Sequence, residues 1–228
     1  MEVPVLNMQG KQVGTLKVDE MALGGEVIPA LIKQAYVRYH ANLRQGSART
    51  KNRGRVEGST RKLYKQKHTG NARAGTIRTN MRKGGGRAFA KLKTREDYRL
   101  DMPIKMRRKA NRNALLAKLI DNEVKILDTL KFDQPKTKAF QDLLAALGID
   151  RTCCVAINPE NDTARRAARN LEHVSVCNST QLTAWDLMNS RYIVITKADL
   201  EAWISGPSSH TGKSAKVSKE TKASKETK

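Results

Sequence analysis

Between Leu43 and Arg95 the chain loses the hydrophobic periodicity that folding needs and takes on charge instead. Its larger apolar residues there are Leu43, Val56, Leu63, Tyr64, Ile77, Met81, Phe89 and Leu92. They are too sparse to offset an ordering cost of roughly 1–2 kcal/mol per residue. Eight glycines raise that cost. Alone, the segment is predicted to be largely disordered. So long an interruption inside a domain signals either function or disorder.

Charge separates the two. The segment carries 17 Lys/Arg and one acid, Glu57, a balance of +16 out of +22 for all 228 residues. Residues 205–228 add six Lys and two Glu, which leaves +2 for the rest. Two basic appendages on a nearly neutral body point to a polyanionic partner. Cys153, Cys154 and Cys177 form no C-x-x-C pair and sit in apolar runs, so they read as reduced core residues of a cytoplasmic protein. His40, His68, His173 and His210 are dispersed, and no metal site is expected. The N-terminus lacks a signal-like apolar run. No stretch approaches the roughly 20 apolar residues of a membrane span, so no membrane partner is expected.

Outside the segment, regular patterns return. Val3 to Met8 and Gln12 to Val18 read as strands around a turn at Gln9-Gly10. Ile28, Leu31, Ile32, Ala35, Tyr36 and Tyr39 share one helical face, with Pro29 in the first turn. Pro103 opens a helix to about Ile120, whose first half carries Lys105, Arg107, Arg108, Lys109 and Arg112. Those cations oppose the helix dipole, and a phosphate there is favoured by both. Strands at Glu123–Leu127, Cys153–Ile157, Val174–Cys177 and Tyr192–Ile195 alternate with helices at Pro135–Leu147, after a cap at Asp162, at Leu182–Met188, and after a Thr196/Asp199 capping box. The predicted class is α/β: a mainly parallel sheet with covering helices, interrupted by a long extended basic RNA-binding loop. The predicted division is 1–43 and 96–205 as one globular domain, 44–95 as the loop, and 206–228 as a disordered Lys/Ser/Thr-rich tail with SKETK repeated at Ser218 and Ser224.

No phosphate-binding Gly-rich turn, dinucleotide fingerprint or H-E-x-x-H motif is present, so neither an enzyme nor a cofactor nor a small-molecule substrate is expected. The chemistry lies in the loop. Its candidate RNA-binding cations are Arg44, Arg49, Lys51, Arg53, Arg55, Arg61, Lys62, Lys65, Lys67, Arg73, Arg78, Arg82, Lys83, Arg87, Lys91, Lys93 and Arg95. Tyr64, His68 and Phe89 can stack on unpaired bases. Gly84, Gly85 and Gly86 let backbone pass close to another surface. Lys105, Arg107, Arg108 and Arg112 extend the set onto the following helix.

Those residues also carry a resemblance. Thr50-Lys51, Arg53, Val56, Gly58, Arg61-Lys62, Gln66-Lys67, Thr69-Gly70, Ala72-Arg73, Gly75, Gly84 to Gly86 and Phe89 match the pattern of an extended loop. It is the loop of the family of large-ribosomal-subunit protein four, bacterial type, which this sequence resembles from Val3 to about Ile204. PKTKAF (Pro135 to Phe140) and AARNL (Ala167 to Leu171) fall where that family has similar segments. The resemblance implies a structural constituent of the large subunit that aids assembly. Its partners would be large-subunit ribosomal RNA, neighbouring ribosomal proteins, and the nascent peptide at the tunnel constriction. Gln66, Lys67, His68, Thr69 and Gly70 would line the peptide exit tunnel, near where macrolides bind in the family. The sequence departs from the pattern at His68, where Gly is usual, at Asn71, at Thr79-Asn80-Met81 and at Lys91. A free RNA-binding regulator, repressing its own operon, is the alternative.

Overall fold

The computed structural model describes residues 1–208. The chain forms two compact units, one from residues 1–39 together with those from 102 onward, the other from residues 40–101.

The first unit is built on a six-stranded sheet. Its strands are β1 (Glu2–Leu6), β2 (Gln12–Lys17), β3 (Val124–Leu127), β4 (Cys153–Ile157), β5 (Val174–Asn178) and β6 (Tyr192–Thr196). The order is β2-β1-β3-β6-β4-β5. β1 and β2 form an antiparallel hairpin, and every other neighbouring pair is parallel. Gly10 makes the hairpin turn at φ +78°, and a Cβ there would lie 2.2 Å from the Ala146 carbonyl oxygen.

Strand periodicity builds the layers. On β4, Cys154 and Ala156 face one core, while Cys153, Val155 and Ile157 face the other. α1 (Pro29–Leu43), α3 (Ile104–Ile120), α6 (Ala184–Asn189) and α7 (Lys197–Ser205) contribute Ile32, Leu115, Leu187 and Trp203 to the first core. α4 (Thr137–Ala146) and α5 (Asp162–Ala168) contribute Phe140, Leu143, Ala164 and Ala167 to the second. Helices on both faces of a mainly parallel sheet are the α/β arrangement read from the alternating pattern. All three cysteines are free. Burial pushes the Cys153 thiol up to about 12, and the Cys154 and Cys177 sulfurs lie 3.2 Å apart.

Local details differ from the sequence reading. Asn161, not Asp162, caps α5, its Oδ1 accepting from the Ala164 amide at 3.3 Å. A capping box at Thr183 and Asp186 starts α6. A single 3-10 turn (Ser179–Gln181) precedes it, and a four-residue helix, α2 (Arg95–Tyr98), lies in the second unit. The sequence reading predicts none of these, because one turn carries no apolar period. Two buried asparagines join elements. Asn111 accepts from the Ala184 amide at 2.9 Å and donates to the Ser208 carbonyl at 2.8 Å. Asn113 accepts from the Ile28 amide at 2.6 Å and donates to the Glu26 carbonyl. The expected tail lies outside the described residues except for 206–208, of which Ser208 is buried and donates to the Trp203 carbonyl at 3.0 Å.

Candidate nucleic-acid interface

The unit of residues 40–101 is held by backbone rather than by a core. Among the described residues of 43–95, Gly86 is the only buried one. At its neck, Asn42 donates to the Leu100 carbonyl at 3.2 Å and accepts from the Leu100 amide at 3.0 Å. Gly46 packs there at φ +64°, where a Cβ would meet the Arg95 Cα at 2.9 Å. Further out, the Thr50 amide donates to the Lys91 carbonyl at 3.0 Å, and the Arg87 amide to the Lys51 carbonyl at 2.9 Å. The Gly86 amide donates to the Arg78 carbonyl at 3.1 Å. An isolated antiparallel bridge joins Lys62 to Thr76, and the Leu63 amide donates to the Gly75 carbonyl at 3.1 Å. The Tyr64 hydroxyl closes the far end on the Ala72 carbonyl. The segment that composition alone leaves largely disordered thus takes the form of two arms tied across by main-chain bonds, with a tip at residues 66–71.

The glycine triplet explains how the arms approach. A Cβ on Gly86 would lie 2.2 Å from the Arg53 nitrogen, and one on Gly85 would lie 1.9 Å from the Thr79 carbonyl oxygen. Gly84 turns at φ +80°, and a Cβ there would meet nothing within 4 Å. Only residues without a side chain permit the contacts made at Gly85 and Gly86. At the tip, Gly70 adopts φ +70° and His68 φ +64°. The usual Gly at the position of His68 fits that left-handed backbone, and histidine tolerates it less readily. Lys62 donates to the Gln66 side chain at 2.6 Å.

The candidate cations point outward. Arg44, Arg49, Lys51, Arg53, Arg55, Arg61, Lys62, Lys65, Lys67, Arg73, Arg82, Lys83, Arg87, Lys91, Lys93 and Arg95 are exposed, and Arg78 is half-buried. Among the described residues none of them forms an ion pair. Arg44 lies over the Tyr98 ring at 3.9 Å, with Lys93 at 5.7 Å. Tyr98 escapes a reading of the sequence, since a single aromatic at the edge of a charge run carries no pattern. Phe89 and Met81 are fully exposed, with Phe89 held at φ +47°. Arg73, Arg82 and Lys83 surround a concavity of about 640 Å³. Thr94 caps α2 with Asp97 as its capping-box partner, and the Asp97 carboxyl is held below the ordinary 3.8, first by the Thr94 amide and then by the Thr94 hydroxyl.

On α3 of the other unit, the predicted cations divide. Lys105, Arg108 and Arg112 line a cleft of about 400 Å³ together with Lys109, a cation outside the predicted site set. Arg107 and Arg108 carry buried Nε atoms with no hydrogen-bond partner. Arg112 is committed within the protein: it donates to the Ser208 hydroxyl at 2.9 Å and to the Gly206 carbonyl at 3.1 Å. That use is invisible in a run of basic residues. Among the described residues, no group of three His, Cys, Asp or Glu could hold a metal ion, and no helix is long and apolar enough to cross a membrane.

Comparison with known proteins agrees with the loop pattern. The ribosomal protein L4/L1 family matches residues 16–205. The large ribosomal subunit protein uL4 of Dehalococcoides mccartyi is 39% identical over 197 residues, 86% of this chain and 93% of its own length. The protein of the same name from Rhodopirellula baltica is 36% identical over 200 residues, covering 87% of this chain and 89% of its own. That from Desulfatibacillum aliphaticivorans is 35% identical over 201 residues, covering 88% and 96%. With a loop pattern and a sequence in agreement over most of its length, the chain belongs to the ribosomal protein L4/L1 family.

Proposed function

We propose that this protein is a structural, non-catalytic constituent of the large ribosomal subunit, in the cytoplasm, that binds ribosomal RNA through residues 44–95 and aids assembly of the particle. The observation that carries the reading is a unit of almost wholly exposed cations, without ion pairs among the described residues and with one buried residue between positions 43 and 95. Such a surface is half of an interface. Phosphates neutralise the cations, and arginines fork onto phosphate or stack on bases. Phe89, Tyr64 and Met81 supply apolar surface for splayed bases. Lys105, Arg107 and Arg108 add a second patch on α3, while Arg112 keeps residues 206–208 in place. The tip residues Gln66, Lys67, His68, Thr69 and Gly70 line the peptide exit tunnel in this reading and meet the nascent peptide there. The uL4 relatives, large-subunit proteins by name, support the assignment.

The test is copy number per purified large subunit after a high-salt wash, by quantitative mass spectrometry. About one retained copy is expected, because charges buried in RNA escape the screening that strips exposed binders. Loss in the wash would instead favour a peripheral or regulatory RNA binder, and the tunnel assignment of residues 66–70 would fall with it.

A further inference from the structure

β5 ends the sheet, so one side of Val174–Asn178 has no neighbouring strand among the described residues. An edge strand presents alternating unpaired N–H and C=O groups, and proteins usually blunt such edges with Lys, Pro or bulges. The opposite edge, β2, ends in Lys17, which pairs with Glu2 at 3.5 Å, and its pairing with β1 is interrupted by an irregularity after Val5. β5 reads Val-Ser-Val-Cys-Asn, with none of these devices.

Beside this edge lies a cleft of about 500 Å³ lined by Arg165, Arg169, Asn178, Gln181 and Asp186. Its one acid, Asp186, is held in place, its carboxylate accepting from the Thr183 amide at 3.1 Å and hydroxyl at 2.7 Å in the capping box of α6. Arg165 is directed onto the Asn178 side-chain oxygen. Arg169 is exposed, and its guanidinium forms no hydrogen bond or ion pair among the described residues. Two arginines against one aspartate leave the cleft with a net charge of +1, next to a row of main-chain donors and acceptors.

We infer that the β5 edge docks an extended peptide segment of a neighbouring protein of the particle, which adds a strand and places an Asp or Glu side chain on Arg169. The inference rests on the proposed place of the chain in the large subunit. A peptide matches the edge in a way that RNA does not. It offers donors and acceptors in the spacing of a strand, whereas a phosphodiester backbone offers chiefly acceptors. Two arginines, against 17 cations in residues 43–95, suit one carboxylate better than a run of phosphates.

The test places a photo-reactive benzoylphenylalanine at exposed Gln181 of the full-length chain. Purified large subunits are irradiated, and the cross-linked species are sequenced by mass spectrometry. The expected product joins position 181 to a stretch of another protein that contains Asp or Glu. Arg169→Glu in the same chain is expected to lower its yield about tenfold, as for loss of a charge-assisted contact. Arg166→Glu, at a cation already paired with Asp162 at 2.7 Å, should leave the yield unchanged. A cross-link to RNA, no cross-link from a chain present at normal copy number, or a yield indifferent to Arg169→Glu would overturn the inference while leaving the proposed function standing. Absence of the chain from the subunit would overturn both.

Discussion

At the scale of single residues, the smallest side chains are the most constrained. Gly86 sits where the two arms of the basic unit touch, and a methyl group there meets main-chain atoms of Asn52 and Arg53 at 2.2–2.5 Å. Backbone cannot yield as a flexible side chain does, so Gly86→Ala is expected to cost about 1–3 kcal/mol of local stability. Hydrogen exchange should show the Gly86 and Arg87 amides losing protection together. Gly70→Ala meets no neighbour and carries only the conformational cost of its positive φ, so its effect should be about 1 kcal/mol and confined to the tip. Asn113 is the opposite case, a buried polar side chain whose whole value lies in its partners. Asn113→Ala leaves the Ile28 amide and the Glu26 carbonyl without their bonds. A loss of about 2–4 kcal/mol is expected, read as a lower midpoint in urea with an unchanged slope.

At the scale of elements, α2 is held by its cap rather than by packing. None of its four residues is buried, and the Thr94–Asp97 box supplies its first-turn bonds. The folded Asp97 carboxyl lies below its ordinary 3.8, so its contribution is fully present above that value and is lost as pH falls through the lower, folded one. Protection of the α2 amides should therefore drop on acidification below about pH 4, and Asp97→Asn should remove that dependence. Protection that ignores both pH and the substitution would mean that the helix is held from elsewhere. The same scale shows why short elements escape a reading of the sequence. Long helices such as α3 announce themselves by period. α2, the 3-10 turn and the Thr183 cap each span a turn or less, where one hydroxyl and one carboxylate decide the start.

For the molecule as a whole, charge dominates. The +16 balance of residues 43–95 already counts the segment's single acid, Glu57, so its cations have almost no internal partner. Binding to large-subunit RNA is expected to weaken steeply with salt, with a log–log slope near −6 to −8 if about 8–12 cations meet phosphates. Replacing Arg61, Lys62, Lys65, Lys67, Arg73 and Arg82 by Gln should reduce that slope by about 4, with the thermal midpoint of the sheet unit unchanged. An undiminished slope would exclude these six as phosphate contacts and leave the other eleven cations of the segment, with Lys105, Arg107, Arg108 and Lys109 of α3, to carry the binding.

The alternating apolar pattern by itself determined the α/β class, since burying a period of two beneath periods of 3.6 leaves few other solutions. It also showed that residues 43–95 lack the apolar surface for a core, but not that main-chain bonds tie them into two arms. The matched loop residues made the family legible, and their charge made a polyanion the expected partner. Strand order was decided only in three dimensions. β6 lies between β3 and β4, a long-range pairing that no local pattern in the sequence encodes. The fate of each cation was decided there too. Arg112 and Arg108 read alike in sequence and line the same cleft, yet Arg112 is bound to the carbonyl of Gly206 and the hydroxyl of Ser208, while the buried Nε of Arg108 has no hydrogen-bond partner among the described residues. A charge's availability depends on what the chain brings to it from more than 90 residues away, and composition carries no record of that meeting.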